Sequence, residues 1–293
     1  MMEKTLHNSY MSVTVNSLGG QLTSLKGADG LEYLWQGDKA YWSGTAPVLF
    51  PICGSIRDDK AVTLDGKELA MPRHGIVRKK EFNLLAESGD SVSFFIKPDD
   101  AMKQQYPYDF RLVTSYTIKE NTLTAAFTVC NQGKERMPFL AGGHPGFNCP
   151  LYEGEQYSDY YLEFEETETL TVPEPVTETG LININHRTPF MNNTNTVRLD
   201  HALFAKDAVI LDTLKSRSVT LKCDKNDKHL TLGFEQFPYL ILWSTANQGP
   251  FIALEPWLGL STCDDEDDVF EHKRNMQYCE AGEEKTYAFT ITL

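Results

Sequence analysis

Apolar and polar residues alternate at many places along this chain. In residues 122–129 an apolar side chain stands at every second position, and threonine fills three of the other four. This period of two is typical of a β-strand with one buried face. Two other runs are apolar throughout, which is typical of strands buried on both faces. The pattern therefore predicts strands at residues 91–96, 122–129, 218–223, 240–243, 251–254 and 286–293.

Turn-forming residues separate these runs at short intervals, and helical periodicity is almost absent. Asp65 and Gly66 lie between two short segments and predict a hairpin turn. One short helix is expected in residues 99–106, where Asp99 and Asp100 could cap its start. Many short strands without a linker or repeat predict an all-β protein, a single domain over residues 1–293 folded as a large antiparallel sandwich or barrel.

The composition is that of a globular protein, with 41% hydrophobic and 23% charged residues. The formal net charge is −14 and the sequence pI is about 4.9. Nucleic acids and anionic membrane surfaces attract basic proteins, so this charge argues against both as partners. An anionic small substrate would need a local positive charge at its binding site.

Neither a membrane-spanning run nor an N-terminal signal sequence is recognisable, so we expect a cytoplasmic protein. The six cysteines are scattered without C-x-x-C or zinc-finger spacing. In a reducing compartment they are expected to be free thiols packed as small apolar side chains. The acidic run at residues 263–268 has no EF-hand spacing, and we interpret it as a solvated loop rather than a calcium site. No metal site is therefore expected.

Residues 141–148 join one histidine to a backbone rich in glycine and proline. Gly142, Gly143 and Gly146 can adopt dihedral angles closed to other residues, and proline removes a backbone donor. We therefore expect His144 to lie at a strand end or sharp bend, where its imidazole can exchange a proton near neutral pH. A histidine that is merely hydrogen-bonded in a tight turn explains this segment equally well when it is taken alone.

Three further segments contain polar residues in settings that need an explanation. Glu255 ends an apolar strand, so burial would raise its pKa towards the range of a general base, although a structural ion pair with an arginine is an alternative. His74 follows Arg73 and precedes a glycine, directly after the predicted hairpin. Arg57 follows an apolar run and could bind sugar hydroxyls or a carboxylate, although a surface arginine is the commoner case.

Taken in order, these segments resemble the aldose 1-epimerase (galactose mutarotase) family. The chain contains Phe-Pro-Ile-x-Gly at residues 50–54, Pro-Arg-His-Gly at 72–75, Gly-Gly-His-Pro-Gly-Phe at 142–147 and Glu-Pro-Trp-x-Gly at 255–259. The resemblance covers nearly the whole chain and is strongest for the LacX-like branch and its hexose-6-phosphate relatives. It implies a large twisted antiparallel β-sandwich of the galactose mutarotase-like type, and no metal or organic cofactor.

The resemblance also implies roles for individual residues. His144 matches the family's general acid and Glu255 its general base, while His74 matches the second histidine, which binds a substrate oxygen. Asp207 resembles the sugar-binding aspartate, although an acidic loop residue would look the same. Further contacts to the sugar substrate are expected from Arg57, Arg73 and Trp257.

These residue types suit the interconversion of the α and β anomers of an aldohexose. A base removes the proton of the anomeric hydroxyl while an acid protonates the ring oxygen, the ring opens, and the aldehyde recloses from its other face. We expect Glu255 to be ionised and His144 to be protonated, each holding the other's charge, so that the pair titrates as a unit. Aromatic residues expected to pack against the sugar, or else in the core, are Trp42, Phe147, Trp243 and Trp257.

Three alternative functions fit parts of the same sequence. Arg73 and Arg78 belong to a basic cluster that could bind a phosphate, which would make the protein a hexose-6-phosphate 1-epimerase. The protein could instead be a non-catalytic carbohydrate-binding or regulatory protein of the same fold. Glycoside hydrolysis by Glu255 and Asp207 would leave the histidines without a role. The sequence leaves open the identity of the sugar and the choice between a monomer and a homodimer.

Overall fold

The computed structural model describes residues 1–293, which form 22 β-strands, one α-helix and four short 3₁₀ helices. The strands are β1 Glu3–His7, β2 Met11–Asn16, β3 Gln21–Gly27, β4 Val48–Leu49, β5 Lys60–Val62, β6 Glu68–Ala70, β7 Asn83–Glu87, β8 Ser91–Ile96, β9 Phe110–Lys119, β10 Thr122–Asn131, β11 Met137–Phe139, β12 Gly142–Gly143, β13 Gly146–Asn148, β14 Tyr160–Val176, β15 Leu181–Arg198, β16 Val209–Leu211, β17 Ser218–Cys223, β18 His229–Gly233, β19 Tyr239–Trp243, β20 Phe251–Trp257, β21 Gln277–Cys279 and β22 Glu284–Thr292. The helix is α1 Asp100–Gln105, and the 3₁₀ helices are Arg57–Asp59, Tyr157–Asp159, His201–Phe204 and Phe270–His272. All six segments that the sequence predicts to be strands form strands, although the last strand ends at Thr292 rather than at Leu293.

The larger sheet has nine antiparallel strands in the order β15-β14-β17-β18-β22-β10-β9-β8-β7. In the inner strand β10, Leu123 pairs with Ile118 of β9 and Ile291 of β22, and all three side chains are buried. On the opposite face Thr122 and Thr292 join their hydroxyls at 3.0 Å. The period-two pattern of the sequence therefore becomes one apolar face, which packs into the core, and one polar face.

The second large sheet holds the segments that contain His144 and Glu255. Its strand order is β16-β19-β20-β12-β4, and β13 also pairs with β20. All seven residues of β20 are buried, as expected for an apolar strand with neighbours on both sides. One apolar cluster contains side chains from both large sheets, so the architecture is an antiparallel β-sandwich, as predicted.

Several smaller predictions are confirmed. The turn with Asp65 and Gly66 joins β5 to β6, and Gly66 has a φ of 85°. Asp99 caps α1, because its carboxylate accepts a 2.8 Å hydrogen bond from the backbone N–H of Met102. All six cysteines are buried and unpaired. None of the helices has the length and apolarity required to span a membrane.

The acidic run at residues 263–268 is a loop in which four aspartates are exposed, as expected, whereas the Glu266 side chain is buried in ion pairs. Glu266 lies 3.4 Å from Lys273 Nζ and 3.0 Å from Arg274 Nη1, and only 6% of its side chain is exposed. Asp265 lies 2.7 Å from Arg274 Nη2. Basic side chains from the following segment thus offset much of the charge of this run.

Candidate active site

A cavity of about 200 Å³ lies beside β20 and is lined by residues from distant parts of the chain. Its volume favours a ligand smaller than the drug-sized molecules that occupy pockets of about 300–1,000 Å³. The structure brings six of the predicted site residues together in its lining. They are Arg73, His74, His144, Asp207, Glu255 and Trp257.

His144 and Glu255 face each other across neighbouring strands. Gly142 of β12 pairs with Trp257 of β20, and β13 resumes the pairing with β20 in the same register. His144 stands in the gap between β12 and β13, so the register places it opposite Glu255. The distance from His144 Nε2 to Glu255 Oε2 is 3.2 Å. His144 therefore lies at a strand end, as the sequence predicts.

The glycines around His144 provide room rather than unusual dihedral angles. None of Gly142, Gly143 and Gly146 has a positive φ, which corrects the expectation from the sequence. A Cβ on Gly143 would lie 2.7 Å from the Phe289 ring. A Cβ on Gly146 would lie 2.8 Å from the Trp42 ring. Both distances are shorter than real Cβ contacts, so the backbone beside His144 can approach these rings only because it lacks side chains.

Both members of the pair are almost inaccessible to solvent, with 7% of His144 and 1% of Glu255 exposed. Burial raises the pKa of the Glu255 carboxyl well above its ordinary value, while Arg73 lowers it and Asp207 raises it. Burial, aided by Arg73 and Arg78, lowers the pKa of the His144 imidazole to about 3. The surroundings therefore favour the uncharged form of each group, in contrast to the carboxylate and imidazolium expected from the sequence.

Three buried polar atoms of the cavity have no hydrogen-bond partner in the protein. They are Nδ1 of His144, Oε2 of Glu255 and Nε1 of Trp257. The contact between His144 and Glu255 is short but is not aligned as a hydrogen bond. An unpaired buried polar atom costs about 1–3 kcal/mol. Four other such atoms lie outside the cavity, and these three are the ones that a ligand in the cavity could contact.

His74 is held as a neutral hydrogen-bond donor. Its Nδ1 accepts a 3.2 Å hydrogen bond from the backbone N–H of Gly54, and its own backbone N–H donates to the Gly54 carbonyl at 2.7 Å. Burial lowers the pKa of the His74 imidazole well below its ordinary value, and His144 and Arg73 add to this effect. Because Nδ1 is an acceptor, the proton of the neutral ring lies on Nε2, which is the group available to a ligand oxygen.

Asp207 and Arg73 form a polar pair in the cavity wall, with 3.5 Å between Asp207 Oδ2 and Arg73 Nη2. Asp207 has a φ of 105° and His74 a φ of 69°, which are conformations that residues other than glycine rarely adopt. Such conformations cost on the order of 1–3 kcal/mol and are concentrated at functional sites. Two of the predicted binding residues are therefore among the eight non-glycine residues of the chain that have a positive φ.

Arg57 is the one predicted site residue that the structure does not bring to this cavity. Its Nε lies 3.0 Å from Asp268 Oδ1, and its Nη2 donates a 3.0 Å hydrogen bond to the Glu266 carbonyl. The guanidinium of Arg57 is therefore bound to the acidic loop at residues 263–268. The expected contact between Arg57 and the substrate is corrected accordingly.

The cavity lining also decides the alternatives that the sequence left open for other residues. Arg78, noted only as part of a basic cluster, lines the cavity. Trp42 and Trp243 line it too, whereas Phe147 is fully buried outside the lining and belongs to the core. Three lining residues were not predicted as site residues, namely Pro47, Ala208 and Ile241. Ile241 pairs with Glu255 across β19 and β20. Ile241 could have been identified only from the pairing register of β19 and β20, which a single sequence does not reveal.

Comparison with known proteins identifies the class to which this fold and site belong. A family model described as aldose 1-epimerase matches residues 2–273. Because this match spans most of the chain, the protein belongs to the aldose 1-epimerase family. The resemblance predicted from the four sequence motifs is confirmed.

Individual relatives agree with this assignment. The plasmid and chromosomal LacX proteins of Lactococcus lactis subsp. lactis are each 50% identical to the chain over 273 residues, which are 92% of this chain and 91% of theirs. A galactose mutarotase related enzyme from Lactobacillus acidophilus matches with a TM-score of 0.93 and 30% identity, over 99% of this chain and 97% of that one. A galactose mutarotase-like protein from Lactobacillus casei ATCC 334 matches with a TM-score of 0.88 and 28% identity, over 99% of both chains. The fold is therefore the predicted galactose mutarotase-like β-sandwich.

Proposed function

We propose that the protein is a mutarotase that interconverts the α and β anomers of an aldohexose. The observation that supports this best is the buried pair of His144 and Glu255, whose facing atoms lie 3.2 Å apart in the cavity. The anomeric hydroxyl and the ring oxygen of a sugar are bonded to the same carbon. An acid and a base that stand side by side can therefore reach both oxygens of one bound sugar.

In the proposed reaction Glu255 removes the proton of the anomeric hydroxyl while His144 donates a proton to the ring oxygen. The bond between the anomeric carbon and the ring oxygen breaks, and the anomeric oxygen becomes the aldehyde. The aldehyde carbon then rotates and is attacked from its other face by the hydroxyl that the ring oxygen has become. His144 now takes a proton and Glu255 returns one, so both groups end as they began.

The pair needs one proton in all for this cycle. With that proton on Glu255, both groups are uncharged, which is the state that burial favours. Its transfer to His144 gives the carboxylate and imidazolium of the first step. Arg73 supports the charged carboxylate, because its positive charge lowers the pKa of Glu255.

The remaining lining residues provide recognition of the sugar. We assign His74 as a donor to a substrate oxygen through Nε2–H, and Asp207 with Arg73 as partners of the ring hydroxyls. The unpaired indole N–H of Trp257 is a further donor, and its ring offers an apolar face.

Polarimetry tests the proposed activity. Freshly dissolved α-glucose and α-galactose should each change their optical rotation faster with the protein than in buffer, and His144→Gln should lose about 100-fold or more of kcat because general acid–base catalysis is worth that much. The exposed His7 provides the matched control His7→Gln, which should match the wild type. Saturable sugar binding without faster mutarotation would favour a binding protein over an enzyme.

A second candidate function, hexose-6-phosphate 1-epimerase, is supported by Arg78. This arginine lines the cavity with Arg73, and its guanidinium has no carboxylate within salt-bridge distance and no hydrogen bond within the protein. Half-buried arginines are usually paired, and the guanidinium fork matches a phosphate. The local positive charge would offset the −14 net charge of the chain for an anionic sugar.

Arg78→Met tests the phosphate candidate. If Arg78 binds a phosphate, kcat/KM for glucose 6-phosphate should fall about tenfold or more while kcat/KM for glucose stays nearly unchanged, because only the charged substrate loses a charge-assisted hydrogen bond. The exposed neighbour Lys79 lies outside the cavity and gives the control Lys79→Met. An equal loss for both sugars would remove the support for a phosphorylated substrate.

A further inference from the structure

Aromatic rings surround the imidazole of His144. The Trp42 indole stacks on it with 4.8 Å between ring centroids and 29° between planes. Trp243 meets it edge-on, with 5.5 Å between centroids and 81° between planes. His74 meets it at 5.4 Å and 86°. The proposed general acid therefore has an aromatic face, rather than a hydrogen-bonding group, on one side of its ring.

The position of Trp42 is fixed by its own packing. A Cβ on Gly44 would lie 2.5 Å from the indole, so the ring covers the backbone of its own loop. The ring also stacks on Phe251 with 5.4 Å between centroids. The Trp42 carbonyl accepts a 2.8 Å hydrogen bond from Trp35 Nε1. These contacts, together with the close approach of Gly146, hold the indole against His144.

We propose that Trp42 is a positioning residue for His144, which holds the imidazole opposite Glu255 and stabilises its protonated form by a cation–π interaction. The inference rests on the proposed acid role of His144 and adds a residue to it. A sugar-stacking role is the competing explanation for Trp42, and we set it aside because the stack on His144 already covers an indole face.

The charges around His144 explain why such support is needed. Glu255 is the one acidic group in contact with the imidazole, while burial, Arg73 and Arg78 all oppose a positive charge on it. Asp207 lies further along the wall and is paired with Arg73. The negative face of an indole attracts a cation, most strongly where water is excluded. Trp42 therefore stabilises the positive charge of the protonated imidazole without adding an ionisable group to the cavity.

Four variants separate the two roles of Trp42. Trp42→Leu and Trp42→Met remove the aromatic face but keep an apolar side chain, and the second keeps the proposal testable if the first does not fold. Trp42→Phe keeps an aromatic face of smaller area. Lys39→Met changes an exposed residue of the same loop and serves as the control. Circular dichroism and thermal unfolding establish that each variant is folded.

Kinetics by anomer exchange give the first readout. If Trp42 supports the imidazolium, Trp42→Leu and Trp42→Met lower kcat about tenfold or more with KM changed less than about twofold, and Trp42→Phe retains most of kcat. A raised KM with unchanged kcat would assign Trp42 to the sugar and overturn the proposal. Unchanged kinetics in Trp42→Leu would overturn it as well.

A second readout does not depend on turnover. The ¹⁵N signals of His144, assigned by their loss in His144→Gln, report the pH at which the ring gains its second proton. That pH should be lower by about one unit in Trp42→Leu than in the wild type and in Trp42→Phe. Identical titration in all three proteins would overturn the proposal. If the wild type shows no anomer exchange, the mutarotase proposal fails while this titration still decides the role of Trp42.

Discussion

Glu255 and His144 each occupy surroundings that disfavour their charged forms. Burial raises the pKa of the carboxyl and lowers that of the imidazole to about 3. Such groups reduce the stability of the folded protein in the pH range where the unfolded chain would ionise them. This loss of stability is what the proposed catalytic role predicts, because residues selected for activity commonly lower the stability of the fold.

The first prediction concerns the stability of His144→Gln. The folded-state pKa of His144 is depressed to about 3, so the wild type loses stability as the pH falls from the ordinary histidine pKa of 6.5 towards 3. The variant lacks this group. Its free energy of unfolding relative to the wild type should be constant above about pH 7.5 and increase steadily below pH 6.5.

Urea denaturation at pH 8, 6 and 4.5 measures this difference directly. The exposed residue His7 gives the control, since His7→Gln removes a histidine without removing a buried ring. Its stability relative to the wild type should vary far less with pH. A stability difference for His144→Gln that is the same at all three pH values would contradict a depressed pKa.

The sequence identifies the central site residues for reasons that are local. Glu255 follows an uninterrupted apolar run, which predicts its burial, and His144 lies in a recognisable motif. The sequence cannot choose between Arg57 and Arg78, because the choice depends on where distant loops lie. Arg57 forms an ion pair with Asp268 of the acidic loop, which is more than 200 residues away in the chain.

At the scale of elements, the site depends on the interruption between β12 and β13. Both strands pair with β20 in one register, so the residue between them is held opposite Glu255 without being part of a strand itself. The backbone there lies so close to Phe289 and Trp42 that only glycine fits at two positions. The interruption thus holds His144 in a fixed register opposite Glu255, although His144 belongs to neither strand.

The second prediction is that Gly143→Ala disturbs this arrangement. The new Cβ would meet Phe289 at 2.7 Å, and that ring packs on Phe127 and Phe237 and cannot retreat freely. Overpacking of this kind should destabilise the protein by about 1–3 kcal/mol. Because Gly143 precedes His144, the proposed activity should fall as well.

Gly89→Ala is the matched control for this prediction. Gly89 lies in a turn, does not have a positive φ, and has no atom within 4 Å of the position that a Cβ would occupy. Its unfolding free energy should change by less than about 0.5 kcal/mol. Equal urea midpoints for Gly143→Ala and the wild type would show that Phe289 leaves room for a side chain.

Strands with clear alternation are predictable, whereas the longest ones in this protein are not. The pattern identifies β10 and β17, but it does not identify β14 and β15, which form the longest hairpin. Their pairing contains four register shifts, each of which breaks the period of two. Pro173 and Pro175 also occur in β14, beyond Tyr160–Phe164, the part that pairs with β17.

At the scale of the whole molecule, the fold brings distant segments to one cavity in an acidic protein. The net charge is −14, yet Arg73 and Arg78 both line the cavity. These arginines also hold the pKa of His144 down, and Arg73 lowers that of Glu255. The local charge therefore influences the proton on the pair, and under the second proposed function it would also favour an anionic sugar.

The third prediction is a bell-shaped dependence of kcat/KM on pH. The active pair shares one proton. At acid pH it binds a second proton and no longer contains a base, so kcat/KM falls. The pKa of His144, about 3, places this fall, the acid limb, at low pH. At alkaline pH the pair loses its single proton, and the raised pKa of Glu255 places that limb well above pH 4.5. Polarimetry over the range in which the protein stays folded, corrected for buffer catalysis, measures the profile. A profile without an alkaline fall would contradict a shared proton.

The measurement that tests the central proposal most directly is two-dimensional NMR exchange between the anomeric protons of glucose, galactose and glucose 6-phosphate. We expect cross-peaks between α and β anomers for at least one sugar with the wild type, and their loss with Glu255→Gln, which cannot accept the hydroxyl proton. Glu163→Gln, which changes a carboxylate that pairs with Lys222 on the larger sheet, should behave as the wild type. Exchange that persists in Glu255→Gln, or exchange no faster than in buffer for every sugar, would contradict catalysis by the Glu255 and His144 pair.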